Sequence, residues 1–91
     1  MPYIKQEYRA IFQPGLDQVS QAHASLFGGP SPGDLNYLIT KLCLDYLAKK
    51  GEKYQTYNDI IGALESSKME FYIRQVRPYE DKKIEENGDV Y

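Results

Sequence analysis

"GGPSPGDLNYLITKLCLDYLAKKG", residues 28–51, contains one long helix together with the signals that start and stop it. Its first seven residues are mostly glycine and proline, which predicts a break in the chain. Ser31 can cap the helix that follows, and Asp34 completes what resembles a capping box with aspartate in place of glutamate. The proline after the cap fits the first helical position. We therefore predict a helix over residues 34–50 that ends at Gly51.

This second helix is apolar on nearly all of its sides. At about 100° per residue, one face of the helix carries Leu35, Leu38, Ile39, Leu42, Cys43 and Tyr46. The remaining sides carry Tyr37, Leu44, Leu47 and Ala48. A helix of this kind is either central in its fold or sandwiched between the subunits of an oligomer.

An amino-terminal arm and a first helix precede this stretch. Residues 1–9, "MPYIKQEYR", are predicted to be extended or irregular, because Pro2 discourages helix before it. Residues 14–27 follow the three- and four-residue spacing of an amphipathic helix. We therefore expect the first helix to begin at Pro14.

A third helix is predicted over residues 57–77, with Thr56 repeating the capping pattern. Pro78 removes a backbone donor, so the helix should kink or end there. A shorter helix can resume over residues 79–87, and Gly88 is its expected terminator. Strand signals are nearly absent.

Length and composition limit the size of the core. The chain has 91 residues, of which 42% are hydrophobic and nine are tyrosines. A chain of this length buries roughly 60–65% of the surface that its unfolded form exposes, so its core is thin. We predict a single all-α domain over residues 1–91, a three- to four-helix bundle with an extended amino-terminal arm and an ordered carboxyl-terminal segment. The wide apolar faces of the second and third helices further predict a homo-oligomer.

Charge and residue usage exclude several classes of protein. Eleven basic against thirteen acidic residues argue against a binder of DNA or RNA polymers, which normally carries a basic surplus. No apolar run reaches the roughly 18–20 residues of a membrane span, and the amino terminus lacks the apolar core of a signal peptide. Cys43 is the single cysteine, so neither an intramolecular disulfide nor a cysteine-rich zinc site is expected. These features favour the cytoplasm.

Catalytic chemistry finds little support in the residues. His23, the single histidine, lies on an apolar helix face and is expected to be packed rather than a base. A magnesium-dependent all-α nucleotide pyrophosphohydrolase would need several converging carboxylates. Glu65 and Glu70 are five residues apart and lie on different faces of their helix. We therefore predict no enzyme, no metal and no cofactor, and keep the pyrophosphohydrolase as a third alternative.

Binding chemistry remains. Tyrosines alternate with basic residues near both ends of the chain, at Tyr3, Lys5, Tyr8 and Arg9 and again at Tyr72, Arg74, Arg77 and Tyr79. Aromatic rings stack on bases and arginines grip phosphates, although both residue types also occur in ordinary interfaces.

Two polar pairs leave alternatives open. Asn36 and Thr40 lie one turn apart on the second helix, where they bond to each other or a neighbouring group, or else face a ligand. Glu65 and Lys68 form either a rim ion pair or part of a site.

Three blocks of the sequence resemble a family of short proteins of unknown function that is common in bacteria and their phages. The blocks are "MPYIKQE", "LNYLIT" and "YNDIIGALESSKMEFYIR" with "PYEDKKIEENGDVY" after it, so the resemblance spans nearly the whole chain. The family often has two adjacent arginines after the tyrosine of its third helix, where this chain has Ile73 and Arg74. The family resembles phage-encoded anti-CBASS sponges, which sequester cyclic-nucleotide signals of host immunity.

The resemblance implies a non-catalytic oligomer that holds a small nucleotide-like anion in the host cytoplasm. The residues it implies for the ligand are Tyr3, Gln6, Arg9, Asn36, Tyr37, Thr40, Asn58, Tyr72 and Arg74, and Arg77 is added on its chemistry alone. The main alternative is a protein–protein adaptor of phage or bacterial origin that uses an exposed apolar stripe.

The final segment, residues 77–91, is heavily charged but carries anchors. Pro78 resets the chain, Tyr79 and Ile84 can hold a short helix, and an Asn-Gly pair stops it. We predict an ordered arm folded against its own subunit or a neighbour, with Val90 or Tyr91 docked. A structural clasp is favoured over a ligand lid.

Overall fold

The computed structural model describes residues 3–91, and this part of the chain is all-α. Its elements are α1 (Gln6–Ser25), α2 (Pro32–Lys50), α3 (Tyr54–Phe71), a short π-helix that we call the π-segment (Tyr72–Val76), and α4 (Arg77–Asn87). Over residues 3–91 there is no strand. The prediction of an all-α fold with three to four helices is confirmed.

The chain divides into two units. The first covers residues 3–60 and contains α1, α2 and the first turns of α3. The second contains residues 61–91, with the rest of α3, the π-segment and α4. In the second unit α4 packs beside the π-segment.

The start and end of α2 agree with the signals in the sequence. The Ser31 hydroxyl accepts a hydrogen bond from the Asp34 N–H at 3.2 Å, and the Asp34 carboxylate accepts one from the Ser31 N–H at 2.8 Å. These two bonds form the predicted capping box. The backbone hydrogen bond from Ser31, followed by the bond from its side chain, lowers the pKa of Asp34. Gly51 ends the helix with φ +88°, a conformation that glycine adopts without strain.

Replacing Ser31 with alanine should lower the free energy of unfolding by about 1 kcal/mol, because an N–H at the helix start then loses its acceptor. Chemical denaturation followed by circular dichroism measures this change. Ser67→Ala is the control, since Ser67 is an exposed residue in the interior of α3 and alanine favours helix. An equal loss in both variants would contradict the role of the cap.

The predicted amino-terminal arm is largely wrong, since α1 begins at Gln6 and runs through Pro14. Residues 6–13 include good helix formers, and a proline costs the helix its bond to the carbonyl four residues back. A hydrogen bond of 2.8 Å from the Gln13 amide to the Asp17 carboxylate spans the proline. The helix also ends at Ser25 rather than at residue 27, because Leu26 is already in extended backbone.

The predicted start of α3 is also wrong. The helix begins at Tyr54, and the Tyr57 N–H already bonds to the Lys53 carbonyl at 3.2 Å. Thr56 is therefore inside the helix rather than its cap, and it is the one buried residue in the described part of the chain, with 1% of its area exposed. Its hydroxyl has no hydrogen-bond partner there. Asp59, three residues later, accepts hydrogen bonds from the Tyr46 hydroxyl and the Gln55 amide.

The π-segment resolves the conflict between a continuing helix and Pro78. The sequence predicted a kink or an end, followed by a helix from residue 79. The chain stays helical instead, and the Arg77 N–H bonds to the carbonyl of Tyr72, five residues back. This wider turn shifts the hydrogen-bond register just before the proline, which lies in the first turn of α4, where a missing N–H is tolerated.

The apolar faces of the helices are largely uncovered. Among residues 3–91 no hydrophobic side chain is buried, and the exposed ones include large residues on α1, α2 and α3. A thin core was expected from the length of the chain, and exposed apolar side chains that form a continuous patch normally mark an interaction surface. Most of the apolar stripes on the helices therefore have no packing partner within residues 3–91.

Candidate functional site

A cleft of about 450 Å³ lies within residues 61–91, and we call it the C-terminal cleft. Its walls come from the π-segment, from one face of α4 and from the backbone that follows α4. The residues that line it include Tyr72, Arg77, Glu80, Lys83, Ile84 and Tyr91. Two of the residues predicted to bind a ligand, Tyr72 and Arg77, therefore line the same cleft.

The π-segment is what brings Tyr72 and Arg77 to one side. Residues five apart in a regular α-helix are about 140° apart around the axis, so an uninterrupted α-helix would place these two on different faces. The bond from the Arg77 N–H to the Tyr72 carbonyl closes a turn of five residues instead, so the two positions lie one above the other. Periodicity at 100° per residue does not reveal this arrangement.

The cleft contains both positive and negative side chains, and the ion pairs of its cations are weak enough for another anion to replace them. Arg77 donates through Nε to the Asp81 carboxylate at 2.9 Å, and this hydrogen bond raises the pKa of the arginine. Lys83 lies 3.2 Å from Glu86 and above the ring of Tyr79, 5.4 Å from its centroid. Both ion pairs join neighbouring turns of one exposed helix, where such pairs contribute little. An anion in the cleft can therefore compete for both cations.

The end of the chain forms one wall of the cleft. Gly88 ends α4 with φ +89°, and its N–H bonds to the Ile84 carbonyl at 2.8 Å. The Asp89 carboxylate then accepts a hydrogen bond from the Tyr91 N–H at 2.9 Å, which gives the last residues a local turn. The side chains of Val90 and Tyr91 are 93% and 113% exposed. The predicted docking of these residues on their own subunit is therefore wrong, and docking on a neighbour stays a prediction.

Arg74 is absent from the residues that line the C-terminal cleft. Its Nε donates to the Glu70 carboxylate at 3.1 Å, one turn earlier. The resemblance favoured this arginine, whereas Arg77 was added on chemistry alone. Within residues 61–91 the cleft geometry favours Arg77.

The other seven predicted ligand residues belong to residues 3–60. Tyr3 precedes α1, and Gln6 begins it. Arg9 is in the first turns of α1 and donates to the Ile4 carbonyl at 3.1 Å. Asn58 is exposed on α3. Their role in ligand binding stays a prediction.

Asn36 and Thr40, the polar pair on α2, bond to each other, which was the first of the two alternatives. The Thr40 hydroxyl donates to the Asn36 side-chain oxygen at 3.2 Å, so the pair satisfies itself. Glu65 and Lys68 likewise form the predicted rim ion pair, with 3.0 Å between the charged atoms.

A second, smaller cavity of about 170 Å³ lies between the end of α1 and the first turns of α2. It is lined mostly by apolar side chains, and Tyr37 and His23 also border it. Nε2 of the half-buried His23 is shielded from solvent and has no hydrogen-bond partner among the residues described. The sequence predicted a packed histidine here but gave no sign of the cavity, which depends on how the turn after α1 closes.

Residues 3–91 contain no group of three or more histidine, cysteine, aspartate or glutamate side chains arranged to hold a metal ion. None of their helices is both long enough and apolar enough to cross a membrane.

Comparison with known proteins places the chain in a family. The family model described as "Domain of unknown function (DUF6899)" matches residues 1–90, so the chain belongs to this family. No curated protein and no solved structure matches it.

Proposed function

We propose that this member of the DUF6899 family is a non-catalytic, homo-oligomeric protein that sequesters a nucleotide-like anion in the C-terminal cleft. The ligand class that best suits the proposal is a cyclic-nucleotide signal of bacterial immunity. The protein then acts in the host cytoplasm as a counter-defence sponge of a phage or prophage. The biological setting comes from the family resemblance, and the cleft supports the choice of ligand chemistry.

The observation that carries the proposal is the pairing of aromatic and cationic side chains in one cleft. Tyr72 and Tyr91 provide rings on which a base can stack, and such stacking tolerates any base. Arg77 and Lys83 provide donors for phosphate oxygens, and arginine can bind two of them at once. A volume of about 450 Å³ lies within the usual range for small-molecule sites.

The acidic residues of the cleft set its selectivity. Glu80 and Asp89 also line it, so a bare phosphate meets a mixed field. A ligand that adds a stacked base to its phosphate gains contacts that a simple anion does not make. We therefore expect nucleotides to bind more tightly than inorganic phosphate.

A protein–protein adaptor is the second candidate function, and the uncovered apolar faces of α1 and α2 favour it. Exposed apolar patches of this extent normally mark a contact with another macromolecule. An adaptor would bind a partner protein and would leave the C-terminal cleft without a nucleotide ligand.

A thermal-shift panel of mono-, di- and cyclic nucleotides tests the proposal, followed by chromatography of the incubated ligand. A nucleotide that binds the native chain alone raises the melting temperature by mass action, by an amount that grows with its concentration. We expect at least one cyclic nucleotide to do so, and to be recovered intact after the protein is denatured. Inorganic phosphate at equal concentration is the control.

Two outcomes would contradict the proposal. Recovery of a hydrolysed product that depends on magnesium would indicate a pyrophosphohydrolase. No shift with any nucleotide, together with a stable protein partner, would indicate the adaptor.

A further inference from the structure

We infer that α2 of a second copy of this chain packs against α2, along a seam formed by Leu35, Ile39, Leu42 and Tyr46. This inference rests on the homo-oligomer of the proposed function and specifies the contact that builds it. It does not depend on the ligand.

The spacing of the seam is that of two helices that pair lengthwise. The four residues follow one another at intervals of four, three and four, which is the heptad pattern of a coiled coil. They occupy a strip about 60° wide on the helix. In heptad terms Ile39 and Tyr46 take the a positions and Leu35 and Leu42 the d positions. The pattern covers these four positions and ends at Lys49, which takes the next d position, so it predicts a short contact between two helices rather than a long coiled coil.

The seam is only partly covered within residues 3–91. Leu42 and Leu35 are 70% and 55% exposed, whereas Ile39 and Tyr46 are 39% and 36% exposed. The Tyr46 hydroxyl donates to the Asp59 carboxylate of α3 at 3.1 Å, so this end of the seam lies beside α3. The two leucines form the open part of the strip.

The charges beside the seam suit a second copy. Asp45 and Lys50 fall at the g and e positions, which flank the seam on opposite sides. In two parallel copies the aspartate of one helix faces the lysine of the other, so both edges carry opposite charges. Asp45 also forms an ion pair with Lys49 of its own chain. Both partners of that pair are exposed, so exchange costs little. The net charge of −2 adds little repulsion between copies.

Analytical ultracentrifugation of the full chain tests the seam. Wild-type protein should sediment at the mass of two chains or of an even multiple. Leu42→Asp should sediment at half the wild-type mass or as a single chain, because it places two carboxylates face to face in the seam. Leu44→Asp is the matched control, since it makes the same change two residues away, on the opposite side of α2, at a leucine that is 52% exposed. It should keep the wild-type mass.

A milder variant keeps the test valid if Leu42→Asp loses its helical circular dichroism signal. Leu42→Ala retains a strong helix former, and it should raise the dissociation constant of the assembly roughly tenfold or more. A monomeric wild-type chain would overturn the inference. So would equal dissociation of the variants at positions 42 and 44, or an unchanged assembly in Leu42→Ala. Nucleotide binding measured on the same wild-type sample succeeds or fails separately, so the seam and the ligand are judged independently.

Discussion

Replacing Tyr72 with alanine should weaken nucleotide binding by roughly tenfold to a hundredfold, because the loss of one aromatic ring removes the stacking of one base. Isothermal titration with the nucleotide that gives the largest thermal shift measures the change. Tyr79→Ala is the matched control. Tyr79 is also an exposed tyrosine, and it lies seven residues later in the same part of the chain, but it does not line the C-terminal cleft.

The arginines extend the same test. Arg77→Gln should lose most of the affinity that depends on phosphate, whereas Arg74→Gln should lose little, because the Arg74 side chain pairs with Glu70 outside the cleft. A larger loss at Arg74 would contradict the cleft and support the position that the family resemblance favours. Equal losses in the variants of Tyr72 and Tyr79 would contradict a stacking role for Tyr72.

Removal of residues 89–91 should abolish most of the nucleotide binding and leave stability nearly unchanged. These residues form one wall of the C-terminal cleft, yet the side chains of Val90 and Tyr91 bury almost nothing against their own chain. The melting temperature should therefore change by less than about 4 °C, which corresponds to less than about 1 kcal/mol in a domain of this size. Calorimetry and titration on the truncated chain measure the two quantities.

This truncation distinguishes two roles of the last residues: a lid that covers the ligand, or a clasp that holds a neighbouring subunit. A clasp on a neighbouring subunit predicts a lower melting temperature and a smaller assembly, with the ligand affected only as a consequence. A double variant with serine at positions 90 and 91 keeps the backbone and tests the side chains alone. Wild-type affinity in the truncated chain would contradict the lid. Although the sequence favoured a clasp, the exposure of both side chains shifts the preference to a lid.

Local signals in the sequence were sufficient to predict where a helix begins or ends when one hydrogen-bonded motif determines that position. The capping box at Ser31 and Asp34 and the glycine stops at residues 51 and 88 were predicted correctly, because each depends on a few neighbouring atoms. The start of α1 was not, because Pro14 is typical of a first helical turn but here lies inside the helix. The residues before it continue the helix toward the amino terminus, which the proline signal does not reveal.

The candidate site was predictable only as a set of residue types. Tyrosines and arginines near the carboxyl end suggested binding, but regular α-helical spacing puts Tyr72 and Arg77 on different faces. The π-segment changes the number of residues per turn, and periodicity at a fixed angle cannot anticipate that change. The wide apolar face of α2 predicts packing on more than one side, and the homo-oligomer inferred from it stays a prediction. Which partner covers it depends on contacts outside a single chain.

Native mass spectrometry of the wild-type chain, incubated with cyclic nucleotides, tests the central proposal most directly. It reports the number of chains and the mass of any bound ligand in one spectrum. The proposal predicts an ion of at least two chains that retains an intact nucleotide, with the same ligand mass after prolonged incubation with magnesium. A chain without nucleotide, or a ligand with the mass of a hydrolysed product, would contradict it.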